Sequence, residues 1–239
     1  MKKSGFSLVE LSIVLIVIGL LVATVSGSSK LIANSKLRKV IQETESLKSA
    51  INTFFASYEA YPGDFSNATA FFSDVTDGDS DNLVEYSSEN SYAWLHMQKA
   101  EVIDGNYNGL MLDGGNGSEA GVNSLASQYH SSACFNFVGG LGIGSDMGII
   151  TGMNNITLGT RWYDNACVGS ILIPRNAEFL DLKLDDGSPV KGSIRSVGGQ
   201  INPSTSVSSG SANYSTECLL SDEYNTLDGD EECILTFLF

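Results

Sequence analysis

Four carboxylates in one short acidic segment have the spacing that a divalent cation needs. They alternate with small or neutral residues and are Asp77, Asp79, Asp81 and Glu85. The first three occupy positions 1, 3 and 5 of a calcium-binding loop, whose oxygen ligands suit this hard ion. The pattern departs from that loop where Asn82 replaces the turn glycine and Ser88 replaces the closing glutamate. Calcium is therefore a candidate ligand but not a required cofactor, and a solvated acidic loop is the alternative interpretation.

Catalysis has little support in this sequence. His96 and His130 are the only histidines, and neither stands in a nucleophile, metal or phosphate-binding motif. The chain is also strongly acidic, with 13 Lys and Arg residues against 28 Asp and Glu residues. Because phosphate binding depends on clustered Lys and Arg, we expect no nucleic-acid partner, and we predict that the protein is not an enzyme.

The four cysteines are predicted to form two disulfides. They are widely spaced, follow the apolar N-terminal segment and lack the Cys-x-x-Cys pattern of a zinc site: Cys134, Cys167, Cys218 and Cys233. An even number of widely spaced cysteines is typical of an extracytoplasmic domain. All three pairings are open. We expect Cys134 with Cys167 and Cys218 with Cys233, because these are neighbours in sequence. Four free thiols in a cytosolic protein are the alternative.

A long apolar segment lies close to the N-terminus and contains a single acid. From Phe6 to Val25 the only ionisable residue is Glu10, and these 20 residues are enough to cross a bilayer as a helix. Residues 23–27 could instead pass for the cleavage site of a secretory signal peptide. A signal peptide has no use for Glu10, whose carboxylate costs about 2 to 3 kcal/mol in a membrane helix unless it has a partner.

The residues around Glu10 resemble the processing motif of type IV prepilins and type II secretion pseudopilins. The segment reads Lys2-Lys3-Ser4-Gly5-Phe6-Ser7-Leu8-Val9-Glu10. It has the basic leader, the glycine before the cut, the phenylalanine after it and the glutamate at the fifth mature position. The resemblance implies that a prepilin peptidase cleaves between Gly5 and Phe6 and methylates the new amine of Phe6. It also implies other pilin or pseudopilin subunits as partners.

An electrostatic argument explains this spacing independently of the resemblance. Cleavage after Gly5 leaves a cationic amine on Phe6, about one helical turn from Glu10. In a staggered bundle of such helices, the carboxylate of one subunit can pair with the amine of its neighbour. Each charge is costly in hydrocarbon without that pair, so we expect Glu10 to set the axial register of assembly.

The segment after the apolar run is predicted to continue the same helix as an amphipathic half. Its apolar residues recur mainly at steps of three and four and are Leu37, Val40, Ile41, Leu47, Ile51, Phe54, Phe55 and Tyr58. Pro62 and Gly63 then end the helix. The chain therefore divides into a leader (1–5), a transmembrane or filament-core half (6–26), an amphipathic half (27–60) and a globular extracytoplasmic head (61–239).

The head is predicted to contain short strands and two further helices. Residues 91–103 and 177–184 have helical character. Runs rich in β-branched or aromatic residues predict strands at 148–151, 156–158, 168–173, 190–197 and 233–239. A long helix followed by antiparallel strands gives an α+β fold, in which the helix packs on a small sheet. Cys218 and Cys233 also resemble the pair that closes the C-terminal loop of many type IV pilins.

Two functions are consistent with these features. The first is a structural subunit, a pilin or pseudopilin, of a type IV pilus or a type II secretion filament. Such a chain spans the bacterial inner membrane once, with its head in the periplasm, and then joins a periplasmic or extracellular filament. The second is a membrane-anchored extracytoplasmic binding domain, with calcium as a candidate ligand, that does not polymerise.

Overall fold

A computed structural model describes residues 7–85, 88–112, 117–139, 152–161, 167–198 and 217–238, with the backbone alone at 23–30. The helices are α1 (Leu8–Tyr58), α2 (Ala68–Phe71), α3 (Glu89–Lys99) and α4 (Pro174–Leu184). The strands are β1 (Leu125–Ala126), β2 (Ala133–Val138), β3 (Asn155–Arg161), β4 (Cys167–Gly169), β5 (Ile194–Gly198), β6 (Leu219–Leu220), β7 (Glu223–Tyr224) and β8 (Cys233–Leu238). A long N-terminal helix followed by an antiparallel sheet confirms the α+β prediction.

The second half of α1 packs on the sheet through one apolar stripe. Its buried members are Leu37, Val40, Leu47, Ile51 and Phe54. They belong to a single core cluster with residues of the sheet, including Phe135, Phe137, Leu158 and Phe237. Burial of each large apolar side chain contributes about 1.5 to 3 kcal/mol. The predicted amphipathic half is therefore the element that anchors α1 to the head.

The end of α1 is set by backbone geometry. Glu59 adopts a left-handed conformation with φ 55°, and its N–H donates to the carbonyl oxygen of Phe55 at 2.8 Å. Gly63 has φ +97° and lies so close to the carbonyl oxygen of Glu89 that a side chain there would collide with it. The helix therefore stops one turn before the Pro-Gly pair that predicted its end.

The six-stranded sheet is antiparallel throughout. Its order is β1-β2-β3-β8-β5, and β4 pairs with the far end of β3. β3 pairs with β2 from Asn155 opposite Val138 to Thr160 opposite Ala133. On its other side β3 pairs with β8, which in turn pairs with β5. β6 and β7 form a separate two-stranded sheet.

Most predicted elements of the head correspond to observed ones. The helices predicted at 91–103 and 177–184 correspond to α3 and α4, and the strands at 156–158 and 233–239 fall in β3 and β8. The run at 148–151 lies outside the described residues.

Other strands of the head were predicted only in part or were missed. The runs at 168–173 and 190–197 overlap β4 and β5, but each strand covers only part of its run. β2 is not among the predicted strands, because all six of its residues are buried and therefore show no alternation of apolar and polar side chains.

One disulfide joins two strands of the sheet, and the other ties the sheet to a connecting segment. Cys134 of β2 pairs with Cys167 of β4, 33 residues later in the chain. Cys218 pairs with Cys233, the first residue of β8, across a separation of 15 residues. All four side chains are buried. The structure thus contains the pairing of sequence neighbours that we expected.

Loss of the C-terminal disulfide should destabilise the head measurably. In the Cys218→Ala/Cys233→Ala double variant, the unfolded chain regains the entropy of a loop of about 15 residues, worth about 3 kcal/mol. Urea unfolding of the full chain in detergent measures this loss as a lower midpoint. The Cys134→Ala/Cys167→Ala variant opens a longer loop and should lose at least as much stability. An unchanged midpoint in the first variant would show that this bridge does not stabilise the head.

Candidate functional site

The first half of α1 has no cover from the head. Its large apolar side chains from Leu8 to Val22 are between 48% and 87% exposed. The first buried side chain of α1, within the described residues, is Leu37. A helix that is apolar on all sides is normally buried in protein or in a membrane. This half of α1 therefore needs a partner that the described residues of the chain do not provide.

Ser7 and Glu10 form a capping box at the start of α1. The Glu10 carboxylate accepts a hydrogen bond from the Ser7 N–H at 2.7 Å, through Oε2. The Ser7 hydroxyl accepts a hydrogen bond from the Val9 N–H at 3.3 Å. These contacts satisfy backbone donors that the first turn of a helix leaves without partners. In the single chain, Glu10 therefore stabilises the start of its own helix.

The predicted processing residues Gly5 and Phe6 lie outside the described residues. No helix in the described part of the chain has both the length and the apolarity of a membrane span. The division of the chain after residues 5, 26 and 60 stays a prediction.

A buried aspartate organises the acidic segment at the opposite end of α1. Asp64 is 2% exposed, and its carboxylate accepts hydrogen bonds from the N–H groups of Asp81 at 3.0 Å and Asn82 at 2.9 Å. Its backbone carbonyl accepts a further hydrogen bond from the Ser80 N–H at 2.9 Å. Ser80 and Asn82 both have positive φ. Asp64 therefore holds a tightly turned segment against the end of α1.

A second buried carboxylate holds the same segment from the side of α3. Glu89 is 4% exposed and is the first residue of α3. Its Oε1 accepts a hydrogen bond from the Asp79 N–H at 3.0 Å, and its Oε2 accepts one from the Glu85 N–H at 3.1 Å. The acidic segment is thus fixed between two carboxylates that are distant from each other in sequence.

The carboxylates of this region form two overlapping groups of three, in each of which one oxygen per residue lies within 4.8 Å of the others. The groups are Asp64, Asp79 and Asp81, and Asp79, Glu85 and Glu89. Asp77 belongs to neither, because its carboxylate accepts hydrogen bonds from the Thr69 N–H at 2.8 Å and the Thr69 hydroxyl at 3.0 Å. The structure thus brings together three of the four predicted ligands and leaves out Asp77.

The calcium-loop pattern could not identify the two buried members of these groups. Asp64 precedes the loop by more than ten residues, and Glu89 follows the position of the closing ligand. The signal for Glu89 in the sequence is a carboxylate two residues before the helix predicted at 91–103. The turn signal before Asp64 gives no indication that its side chain is buried.

His96 connects this segment to the end of α1 and has a structural role. Its ring is buried in α3. Nδ1 accepts a hydrogen bond from the Gly63 N–H at 3.1 Å, so Nε2 carries the proton and donates to the Thr76 carbonyl oxygen at 2.8 Å. Burial lowers the pKa of His96, which keeps the ring neutral in this tautomer. The structure therefore gives it no free nitrogen for catalysis.

Burial makes both organising carboxylates hard to ionise. It raises the pKa of Asp64 from 3.8 to about 6, against the lowering effect of the backbone N–H groups of Asn82 and Asp81. Burial, and secondarily the neighbouring Glu85 carboxyl, raises the pKa of Glu89 from 4.5 to about 8. Protons and a divalent cation would compete for these oxygens. We therefore expect calcium affinity to increase as the pH rises from about 6 to about 8.

The donor set fits a calcium ion in type. Five carboxylates supply only oxygen atoms, which are the ligands that calcium prefers, and the ion accepts irregular geometry. Asp79 is common to both groups and is exposed, so it lies where an ion from solvent could bind. Exposed acidic residues also cluster in proteins that bind no metal. Calcium therefore remains a candidate ligand of this segment.

The Glu89→Gln variant should flatten the pH dependence of stability. The raised pKa means that the protonated Glu89 stabilises the fold fully below about pH 4.5, and that this contribution is lost as the pH rises through about 8. Glutamine has no such titration. The substitution should lower the free energy of unfolding by about 1 kcal/mol at pH 5. The reason is that an amide NH2 group, which cannot accept a hydrogen bond, replaces one of the two oxygens that accept N–H groups. Urea unfolding of the full chain at pH 5 and pH 8 in EDTA measures both effects. Equal pH slopes in the variant and the unmodified chain would contradict the assignment.

Calcium should stabilise the chain through Asp79 and not through Asp77. If the segment binds calcium with the affinity of a sensor site, a calcium concentration about 100 times the dissociation constant raises the free energy of unfolding of the unmodified chain by about 2.7 kcal/mol at pH 8. Asp79→Asn removes the ligand shared by both groups and should abolish the response, measured as the urea midpoint with and without calcium. Asp77→Asn is the matched control and should keep it. A response that survives Asp79→Asn would place the ion elsewhere.

Comparison with known protein families gives a match at the N-terminus of the chain. Residues 1–26 match the family model described as the prokaryotic N-terminal methylation motif. No curated protein and no solved structure shows a significant match to the chain. The matched motif is characteristic of type IV pilins and pseudopilins and confirms the resemblance seen in the sequence. Residues 1–26 thus have the N-terminal signature of a pilin-type precursor, the kind that prepilin peptidase processes.

Proposed function

We propose that this chain is a structural subunit, a pilin or pseudopilin, of a type IV pilus or a type II secretion filament. The main support is that the methylation motif of residues 1–26 runs into the uncovered half of α1. In this proposal, the peptidase removes the leader 1–5. Residues 6–26 serve first as the membrane anchor and then as the filament core, residues 27–60 hold the head, and residues 61–239 form its surface.

The exposed apolar surface of α1 supports association by helix packing. Large apolar side chains are exposed along the whole stretch from Leu8 to Val22. In water, covering one Leu, Ile or Val side chain is worth about 1.5 to 3 kcal/mol. In a bilayer the same side chains face lipid, so association there depends on close packing and on polar pairs between helices. A polar pair near the N-terminus therefore has a large influence on which packing arrangement forms.

Glu10 is suited to form that pair. Its Oε2 binds its own Ser7 N–H, while Oε1 accepts no hydrogen bond from the described residues. The amine that cleavage creates on Phe6 of a neighbouring subunit would supply a charged donor for this oxygen. An unpaired carboxylate in a membrane helix costs about 2 to 3 kcal/mol, so the pair favours one axial register. The capping box keeps the carboxylate at the helix end where a neighbour's amine can reach it.

The proposed partners follow from this assignment. They are prepilin peptidase, further copies or other pilin-type subunits, and the inner membrane. The head faces the periplasm before assembly, and the filament is periplasmic or extracellular. The proposal involves neither catalysis nor a nucleic-acid ligand.

One observation favours a second candidate function. The two carboxylate groups around Asp79 fit a calcium-dependent binding domain that stays anchored in the membrane and does not polymerise. The two candidates differ in what they require of Glu10. Assembly into a filament needs its carboxylate, whereas a tethered binding domain does not.

The Glu10→Ala variant should be processed but should not assemble. Without the carboxylate, the register loses a charge pair worth about 2 to 3 kcal/mol, so we expect filament yield to fall at least tenfold. Filaments sheared from producing cells measure assembly, and the intact mass of the chain measures processing. The unmodified chain should begin at methylated Phe6. Glu45→Ala, which removes an exposed acid from the second half of α1, is the control and should assemble normally.

Two results would contradict the proposal. One is a filament yield for Glu10→Ala equal to that of the unmodified chain. The other is a mature chain that begins near Gly27, which would indicate an ordinary secretory signal peptide.

A further inference from the structure

The far end of the head presents an aromatic ring beside a run of acids. Phe71 of α2 is 59% exposed, although its ring lies 5.4 Å from that of Tyr58 and 5.5 Å from that of Phe65. Residues 74–85 follow closely and contain five acids and no Lys or Arg. An exposed aromatic ring held by its neighbours offers a partner apolar contact area at a fixed position. We name Phe71 and the exposed Asp74 the tip face.

A basic surface that complements the tip face lies nearer the N-terminus of α1. Between Glu10 and Glu43 the sequence has four basic residues and no acid: Lys30, Lys36, Arg38 and Lys39. Lys36 and Lys39 line clefts that also contain acids of the chain's own head, Glu231 and Glu101 respectively. Arg38 lines neither cleft, is exposed, and has no carboxylate of the described residues within 4.0 Å.

Arg38 and Leu31 share the outward face of α1. They are seven residues apart, which is about two helical turns, and Leu31 is 72% exposed. This pair places a guanidinium group and an apolar side chain about two turns apart on one face of α1. Arginine binds carboxylates and also stacks on aromatic rings, so it matches both components of the tip face.

The two surfaces cannot meet within one chain. The Phe71 ring is level with Tyr58 at the end of α1, and Arg38 is 20 residues earlier, or about 30 Å along a continuous helix. Salt screens charges over about 10 Å, so any attraction between them must act between molecules.

We propose that the tip face of one subunit docks against Arg38 of a second copy, which is displaced by about 30 Å along the helix axis and is not the neighbour that pairs with Glu10. This inference rests on the proposed filament function. The same displacement sets the exposed Leu31 of the first copy level with Leu11 of the second. One axial offset thus sets a charged pair and an apolar pair at matching heights along the axis.

A charge exchange tests the contact. Arg38→Asp should reduce the yield of sheared filaments about tenfold, which corresponds to about 1.4 kcal/mol per contact. Asp74→Arg alone should have a similar effect, and the double variant should recover most of the yield. Lys191→Asp, a charge reversal elsewhere on the head, is the control. Normal assembly of Arg38→Asp, or no recovery in the double variant, would overturn the contact.

Cross-linking tests the geometry separately. A chain with Arg38→Cys and Phe71→Cys should form a ladder of disulfide-linked multimers in filaments, because its two new thiols cannot reach each other within one molecule. Pairing Arg38→Cys with Leu227→Cys, at a head position that is 92% exposed, should not form the ladder. Filaments without a ladder in the first variant overturn this inference alone. An unmodified chain that forms no filaments overturns the proposed function.

Discussion

The burial of a single stripe of α1 is the interaction on which the rest of this structure depends. From Leu37 to Phe54 the stripe lies in the same core as the strands, so it fixes the direction in which α1 leaves the head. The helix is continuous to Leu8, beyond the point where the head ends its cover. Within the described residues, one continuous helix therefore has one half buried by its own chain and one half without such cover.

The opposite end of α1 presents a different constraint. The chain leaves the helix through left-handed turns, and the irregular acidic segment that follows has backbone N–H groups that need acceptors. Asp64 and Glu89 provide these acceptors from buried positions, and His96 joins the same network. The arrangement satisfies the backbone, but burial raises the pKa of both carboxyls. Backbone order in this segment is thus tied to the ionisation of two side chains.

The two ends of α1 together explain how such a chain can be stable alone and still associate. The head has its own core and two disulfides, so its fold does not require a partner. The described side chains of the apolar half, up to Val22, are exposed and lie outside that core, and in the proposed function they pack between subunits. Glu10 caps its own helix in the single chain, and its second oxygen accepts no hydrogen bond from the described residues. In the proposed function, folding and assembly thus use different parts of the same helix.

The sequence by itself determined the features that depend on local order. The apolar run with Glu10 and the three-and-four spacing of the second half of α1 are readable from residue types and separations. The sequence left all three cysteine pairings open, and the fold contains the pairing of neighbours. Only the tertiary structure decided which acids meet. Asp64 and Glu89 join Asp79 because the turn after α1 and the start of α3 pack together. Asp77 is hydrogen-bonded to Thr69 and lies outside both carboxylate groups. β2 was hidden for a related reason: burial on both faces removes the alternation by which a strand is recognised, and burial is a property of the folded chain.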